Sequence, residues 1–374
     1  MTGRRRKLSL GIAIDFGGSM TKIIAGLPDG RWCAMAMEPE VLEVPLESVE
    51  QLKNNSYSES RPKDRTWVKV GDKAYAVGYL ARSHFGSSTG LSLSLLKSDL
   101  AIYKIMAALW VIVSMFNLRH GLSVAISCVL PPGEYQDREA FQDNLEVALT
   151  EFYTPTGLMR VKLKEFACKP EGLGSIMMYH SHKGVQHRQK TVSAVVMLGY
   201  RNASVMVCSR GSVSNFNSSD LGFVQFLKRV VNKTVGQTPE RLAPILVKAE
   251  EMGDEKVLNS LLLHQSASDR EIELANLQNG ISTSKTEYLI VLLNWLRENF
   301  PSELDEVILC GGTVDYFASS LEECFKKYQI VWHSDVKLPT ELTNMGYGHR
   351  FLDVWGLWQW WLCQVPLVNK PIAS

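Results

Sequence analysis

The chain is poor in cysteine, and the cysteines that it has are not arranged for metal binding or cross-linking. The 374 residues include 7 cysteines, an odd number, scattered from position 33 to position 363 with no C-x-x-C pair. Such spacing indicates neither a zinc site nor a disulfide framework. Free thiols of this kind fit a reducing compartment best, so we expect a cytoplasmic protein.

An excess of charge of either sign is also absent. Forty basic residues face 39 acidic ones, which gives a formal net charge of +1. This balance excludes a surface that is basic throughout, as a large nucleic-acid footprint would require. We therefore expect no direct sequence-specific DNA binding, and any link to DNA to be local or made through an adaptor. The run Arg4-Arg5-Arg6-Lys7 is the exception, and a solvated terminus is favoured over a binding arm.

No hydrophobic run is long enough to predict a membrane span. The longest one, from Leu100 to Phe116, contains Lys104 and is shorter than the roughly 20 residues that cross a bilayer. We expect a buried core helix there and no membrane association. The apolar stretch near the start is interrupted by Asp15 and lacks the pattern of a signal peptide.

What the sequence does contain is a candidate phosphate-binding turn at positions 12–22. An apolar run ends in Asp15, Gly17-Gly18 follows, and then come Ser19, Thr21 and Lys22. Adjacent glycines can adopt positive φ and have no Cβ, so that successive N–H groups can converge on an anion. Two hydroxyls and an ammonium add donors, while an ionised aspartate suits hydrated Mg²⁺. The alternative is an ordinary Gly-Gly hairpin with solvated charges.

The same pattern returns near the other end of the chain. Val307-Ile-Leu-Cys310 is an apolar strand that runs into Gly311-Gly312-Thr313, and a helix is predicted over 316–327. Between the two motifs, a further strand-turn-strand unit is predicted over 191–208, with its turn at 199–202. The strand-turn-strand pattern of the first residues is thus repeated at 191–208.

The remaining pattern alternates strands with helices, which is typical of an α/β protein. Three antiparallel strands are predicted over 8–44 and a hairpin over 66–77, with later strands over 122–130 and 160–167. Helices are predicted over 99–117, 137–150, 221–234, 239–252, 284–299 and 344–361.

These motifs give the chain a specific resemblance. Residues 12–22 resemble the first phosphate loop, and residues 307–313 the adenosine motif, of the actin/Hsp70/sugar-kinase ATPase superfamily. Val77-Gly78, Pro170-Glu171-Gly172 and Thr343-Asn344-Met-Gly346-Tyr347 are similar to residues of the prokaryotic ParM/StbA actins within it. The resemblance implies an actin-like ATPase fold, with two related ribonuclease-H-like domains around a nucleotide cleft. It places domain I at 1–185, domain II at 186–340 and a helix that packs back on domain I within 341–374.

The resemblance also implies roles for individual residues. Asp15 would hold Mg²⁺ through water, and Glu171 would orient or activate the attacking water. The alternative interpretation of Glu171 is a carboxylate at the start of a helix. The residues implied to meet the nucleotide are Asp15, Gly17, Gly18, Ser19, Thr21, Lys22, Gly199, Arg201, Asn202, Gly222, Gly311, Gly312 and Thr313.

The second hairpin departs from the family pattern. Met197 stands where the family usually has an aspartate. A thioether cannot coordinate hydrated Mg²⁺, so slower hydrolysis is expected. Arg201 or Asn202 could meet the phosphates instead, because a guanidinium neutralises phosphate charge and an amide donates hydrogen bonds.

The function implied is a nucleotide-dependent filament protein that segregates plasmid or other DNA through an adaptor. Its cofactors would be ATP, with GTP possible, and Mg²⁺, and its first partner would be a second copy of itself. One alternative is a nucleotide-binding scaffold or sensor with little or no hydrolysis, which Met197 favours. The other is a small-molecule kinase of the superfamily.

Two further groups of residues have a structural interpretation. The spacing of His180, His182 and His187 lacks a carboxylate or cysteine partner, so a solvated loop between the domains is favoured over a metal site. Trp355, Trp358, Trp360 and Trp361 are expected to pack against the first domain rather than to form a partner surface.

Overall fold

The computed structural model describes residues 8–54, 60–86, 96–119 and 121–365. The basic run at 4–7 lies outside these ranges. By its internal contacts the chain divides into a first unit, Met1–Tyr179 with Val336–Ser374, and a second unit, His180–Asp335. The domain limits expected from the sequence, after 185 and 340, lie a few residues further along the chain.

Nine strands in the described part of the first unit form one sheet, in the order β3-β2-β1-β7-β9-β8-β5-β6-β4. They are β1 (Leu10–Phe16), β2 (Thr21–Gly26), β3 (Trp32–Met37), β4 (Val41–Val44), β5 (Trp67–Val70), β6 (Lys73–Val77), β7 (Gly121–Leu130), β8 (Phe152–Thr154) and β9 (Gly157–Pro170). The three antiparallel strands predicted over 8–44 are confirmed as β1 to β3, and so is the hairpin over 66–77. The end of the first range was wrong, because β3 ends at Met37 and Val41–Val44 pairs with β6 instead.

The described part of this unit also contains seven α-helices. They are α1 (Leu46–Asn54), α2 (Tyr79–His84), α3 (Lys97–Phe116), α4 (Arg138–Thr150), α5 (Leu173–Lys183, which continues into the second unit), α11 (Thr340–Thr343) and α12 (Leu352–Gln364). In the described part of the chain, α3 is the one helix long and apolar enough to cross a membrane. Most of it is buried in the core of this unit, with Trp110 fully enclosed, as the sequence predicted.

The second unit is built on a smaller sheet of five strands in its described residues, in the order β12-β11-β10-β13-β14. They are β10 (Val192–Leu198), β11 (Ala203–Ser209), β12 (Ser212–Ser219), β13 (Glu306–Cys310) and β14 (Gln329–Trp332). Its other helices are α6 (Val185–Lys190), α7 (Phe223–Val231), α8 (Pro239–Met252), α9 (Ala267–Asn299) and α10 (Ala318–Phe325).

The two units repeat one topology. In the first, β1, β2 and β3 are antiparallel neighbours and β1 continues in parallel to β7 and β9. In the second, β10, β11 and β12 are antiparallel, and β10 continues in parallel to β13 and β14. The order 3-2-1-4-5 thus occurs twice, which is the pair of related ribonuclease-H-like domains expected from the resemblance. The α/β, actin-like architecture is confirmed.

Several local predictions are wrong. The helix predicted over 344–361 begins only at Leu352, because Gly346 and Gly348 adopt positive φ and interrupt it. The histidine stretch is helical rather than a loop, since α5 and α6 cover it with a turn at Gly184. Helix α9 starts at Ala267, well before position 284.

Candidate functional site

The hairpin of β1 and β2 brings Asp15 and Lys22 together. The two residues face each other across the antiparallel ladder, and Lys22 Nζ donates to Asp15 Oδ2. Both side chains are largely shielded from solvent. The sequence pattern of a carboxylate, a turn and a lysine therefore folds into an ion pair at the end of the strand.

The turn between these strands does not have the backbone conformation that the sequence predicted. Neither Gly17 nor Gly18 adopts positive φ. Glycine is required at position 17 for space, because a Cβ there would lie 2.7 Å from the carbonyl oxygen of Met20. The tip of the turn is exposed at Ser19, and its hydroxyl accepts a hydrogen bond of 2.7 Å from Arg350 Nη2.

Two residues near this turn, Thr21 and Arg350, differ from what the sequence predicted. Thr21 is buried, and its Oγ1 has no hydrogen-bond partner among the described residues, so this hydroxyl is turned into the protein. Arg350 belongs to no sequence motif, yet its guanidinium lies beside the turn, at Ser19. Burial lowers the pKa of its guanidinium, while the charges of Tyr347 and Asp15 act in the other direction. Arg350 thus adds a cation to the exposed side of the turn.

Glu171 lies at the same edge of the sheet as Asp15. In the parallel register, Asp15 pairs with Val129 and Val129 pairs with Lys169, two residues before Glu171. The amide of Glu171 donates to the carbonyl of Leu130 over 2.9 Å, which holds the residue just beyond the strand end. Strands two apart in a sheet are separated by about 10 Å, and β7 lies between the strands that end near Asp15 and Glu171.

Glu171 is buried and has a partner that the sequence did not reveal. Lys97 Nζ, at the start of α3, donates to Glu171 Oε1, and both side chains are less than a tenth exposed. Burying two charges is costly unless they are paired and hydrogen-bonded. The pair lies 74 positions apart in the chain, which no local pattern can indicate.

Asp353 is a third carboxylate in this part of the first unit. Its Oδ2 accepts from the amide of Gly172 and its Oδ1 from the amide of Ser175, both over 3.0 Å, so it caps the start of α5. Burial raises its pKa to about 6, and the charges of Asp15 and Glu171 add to that shift. Asp353 lies in a tryptophan-rich helix and belongs to no sequence motif that would indicate it.

The three carboxylates are near enough for their charges to interact. Asp15 and Glu171 each raise the pKa of Asp353, while Lys22 and Lys97 pair with one carboxylate each. Arg350 supplies a third cation, so carboxylates and cations are balanced in number here. The Mg²⁺ that the resemblance implies would therefore be held by Asp15 through water rather than by a cluster of carboxylates, since Mg²⁺ prefers oxygen ligands and keeps several waters.

In the second unit, the turn between β10 and β11 is a compact backbone structure. Gly199 N donates to Asn202 O over 2.9 Å, and Gly222 N donates to Arg201 O over 3.1 Å. A Cβ on Gly222 would collide with the backbone of Arg201, so glycine is required at this contact. Asn202 Nδ2 donates to the carbonyl of Ser219 over 3.3 Å. Gly199, Arg201, Asn202 and Gly222 thus form one cluster.

The Gly311-Gly312-Thr313 turn joins this cluster at the end of β10. Gly311 has φ of 109°, and a Cβ there would collide with the carbonyl of Leu198. Thr313 Oγ1 donates to the same carbonyl over 3.0 Å. The two turns of the second unit are therefore packed together, with Gly312 exposed between them.

Met197 occupies in β10 the place that Asp15 occupies in β1, one residue before the strand end. It is half-buried and pairs with Ser204 and Cys310. Of these two equivalent strand positions, the one in the first unit carries a carboxylate and the one in the second unit does not.

The histidines have a carboxylate partner that the spacing concealed. His187 Nε2 lies 3.2 Å from the buried Glu306. Burial lowers the pKa of His180, and the charge of Glu306 opposes this shift. In the described ranges, no group of three or more histidine, cysteine or acidic side chains could hold a metal ion.

Comparison with known proteins shows which fold this is. No family model matches the chain, and no curated protein matches it. Among solved structures, the actin-like protein Alp7A superposes with a TM-score of 0.65 at 14% identity, over 94% of this chain and 95% of that one. The chain has the actin-like fold of the ParM-type prokaryotic actins.

Two further structures with this fold are similar. The ParM of a 15-stranded filament from Clostridium botulinum has a TM-score of 0.57 at 14% identity and covers 93% of this chain and 97% of its own. The archaeal actin homologue Ta0583, in complex with ADP, has a TM-score of 0.53 at 15% identity and covers 92% of this chain and 97% of its own. The likeness extends over nearly the whole actin-like fold.

Proposed function

We propose that this chain is a cytoplasmic, nucleotide-binding actin homologue of the ParM type that assembles into filaments. The observation that carries the proposal is the placement of Asp15, Lys22 and Glu171 at one edge of the first sheet. The similar structures include a ParM filament and an actin homologue with bound ADP, which support filament assembly and nucleotide binding.

Each residue of the first unit has a chemical part in this proposal. The turn at Gly17, Gly18 and Ser19 would meet the phosphates with backbone amides and a hydroxyl, and Lys22 would add an ammonium. Asp15 would hold Mg²⁺ through water. The metal would neutralise charge on the terminal phosphates. Glu171 would orient the attacking water, because its carboxylate is held rigidly by Lys97.

The second unit would contact the rest of the nucleotide. The exposed Gly312 and the neighbouring Gly311 present backbone without side chains, which allows close approach of a base or sugar. Gly199, Arg201 and Asn202, with Gly222 behind them, would face the phosphates from the other hairpin. Binding and positioning of a triphosphate are the main demands of phosphoryl transfer.

The decisive experiment joins light scattering with negative-stain microscopy. Purified protein is mixed with Mg²⁺ and ATP, GTP, ADP or no nucleotide. We expect a rise in scattering and visible filaments with a triphosphate, followed by decay as it is hydrolysed. A flat trace under all four conditions, without filaments, would overturn the filament proposal.

Glu171→Gln separates hydrolysis from assembly. The amide keeps the size of the side chain but cannot accept a proton, so phosphate release should fall by at least about 100-fold. Because Glu171→Gln leaves Lys97 buried without its charged partner, assembly is compared in the double variant with Lys97→Met, where no buried charge remains and filaments should persist. Glu165→Gln is the control, because Glu165 lies exposed on β9, the strand that ends just before Glu171. Equal loss of phosphate release in both variants would exclude a catalytic part for Glu171.

A second function is favoured by Met197. Without a carboxylate on the second hairpin, the protein would bind nucleotide as a scaffold or sensor and hydrolyse it hardly at all. Tight binding of a fluorescent ATP analogue, with phosphate release at the buffer rate, would favour this reading.

The cargo is part of the proposal too. We expect plasmid or other DNA to be attached through an adaptor, because the balanced charge of the chain gives no extended basic surface. Co-sedimentation of filaments with duplex DNA of random sequence should show no direct binding at physiological salt.

A further inference from the structure

Arg350 is a cation beside the β1–β2 turn that has no carboxylate partner. Its Nη2 donates to the hydroxyl of Ser19 over 2.7 Å, at the exposed tip of the turn. In the part of the chain that the structure describes, no acidic side chain forms an ion pair with Arg350, whereas Lys22 and Lys97 each have one. A guanidinium carries five N–H donors, so donors remain at Arg350 for a ligand.

The guanidinium of Arg350 is held partly out of water. The residue is half-buried, and burial lowers its pKa, which means that its charge has lost part of its hydration. A charge in such a place is costly unless an opposite charge joins it. An anionic ligand at the turn would supply that charge.

Lys22, the lysine of the same turn, already has a counter-charge. Its Nζ donates to Asp15, and its side chain is only 13% exposed. A Cβ on Gly17 would lie 3.3 Å from this Nζ, so the ammonium lies against the backbone of the turn. The charge of Lys22 is therefore largely offset by Asp15, and that of Arg350 is not.

Asp353, three residues further along the chain, does not neutralise Arg350 either. Its two carboxylate oxygens accept from the amides of Gly172 and Ser175, both over 3.0 Å. These bonds direct the carboxylate to the start of α5. The positive charge at the tip of the turn is thus left for a ligand.

The chain segment that carries Arg350 is anchored next to it. Gly346 and Gly348 adopt φ of 73° and 53°, and a short 3-10 helix follows over Gly348–Phe351. Phe351 is fully buried, and the ring of Tyr347 stacks on it with 6.0 Å between the centroids. A side chain on an anchored backbone binds a ligand with less loss of conformational entropy.

We propose that Arg350 binds the phosphate chain of the nucleotide directly and supplies the uncompensated positive charge at this turn. A guanidinium suits this part, because it donates paired, charge-assisted hydrogen bonds to phosphate oxygens. The proposal rests on the proposed function, since it takes nucleotide binding at the turn as given. It assigns the contact to a residue 331 positions away from Ser19.

The test measures binding of ADP and ATP, with Mg²⁺, by isothermal titration calorimetry. Arg350→Gln can still donate to Ser19 but carries no charge, and it should bind both nucleotides at least about tenfold more weakly than the native chain. Arg350→Lys keeps the charge without the planar fork and should lie between the two. The difference between native chain and Arg350→Gln should narrow as salt is added, because salt screens an exposed charge contact. A merely structural part for Arg350 would give neither the partial rescue by lysine nor this salt dependence.

Arg31→Gln is the matched control. It removes the same charge from the first unit, but Arg31 pairs with Asp29 beyond Gly26, at the opposite end of β2 from Ser19. We expect the affinity of this variant for ADP to equal that of the native chain. Equal affinities of Arg350→Gln and the native chain would overturn the assignment of Arg350 and leave nucleotide binding intact. A native chain that binds neither ADP nor ATP would overturn the proposed function, and this assignment with it.

Discussion

Gly174 and Gly356 lie in backbone contact where α5 crosses α12. A Cβ on Gly356 would collide with the carbonyl group of Gly174, and a Cβ on Gly174 would collide with the carbonyl of Asp353. The crossing therefore holds Asp353 close enough to cap α5. Gly356 lies inside α12, where a glycine would otherwise only weaken the helix, and Gly174 lies in the first turn of α5. Together they set the position of a charged group.

This contact makes a prediction for Gly356→Ala. Because the collision is with backbone, the helices must separate, and we expect a loss of about 2 kcal/mol or more in the free energy of unfolding. Gly121→Ala is the control, since a Cβ at Gly121 meets nothing within 4 Å. Denaturant unfolding measures both, and equal effects would contradict the close crossing.

The buried pair of Lys97 and Glu171 makes a second prediction. Lys97→Met leaves a buried carboxylate without its partner, which should cost about 3–5 kcal/mol of stability. Adding Glu171→Gln should recover most of this loss, because no buried charge remains. Lys73→Met removes a partner from the exposed pair with Glu43 and should cost less than about 1 kcal/mol. Simple additivity of the two buried substitutions would show that the pair is not coupled.

Asp353 should make stability depend on pH. Its pKa in the folded chain is about 6, raised from 3.8, so the folded state holds the proton over a range where the unfolded state has lost it. Stability therefore falls as pH rises from about 4 to about 6, by ~3 kcal/mol at most.

The measurement compares unfolding free energies of the native chain and Asp353→Asn across this range. Relative to the variant, the native chain should lose stability as pH rises. A difference that stays constant, or that moves the other way, would contradict the raised pKa.

Met197 makes the fourth prediction. Met197→Asp puts a carboxylate at the position in β10 that is equivalent to Asp15 in β1. If the missing charge at this position limits hydrolysis, phosphate release in the presence of Mg²⁺ should rise about tenfold or more. Met197→Asn is the control of equal size without charge. Parallel changes in the two variants would point to packing rather than metal binding.

Much of the architecture could be predicted because it depends on local patterns of hydrophobic and turn residues. Strands β1 to β3, the hairpin of β5 and β6 and helix α8 show hydrophobic alternation or helical periodicity with clear turn residues. Strand β12 was missed since it reads Ser-Val-Ser-Asn-Phe-Asn-Ser-Ser and lies mostly exposed at the edge of its sheet. An edge strand buries little, so it carries little hydrophobic pattern.

The sequence by itself determined the turns at 17–20 and 311–313 and the residue types placed there, because these depend on neighbours within a few positions. Only the tertiary structure decided that Lys97 meets Glu171, that Asp353 caps α5 and that Arg350 reaches Ser19. Those contacts join residues 74, 181 and 331 positions apart. Helix crossing and strand register create them, and neither leaves a signature in a local stretch of sequence.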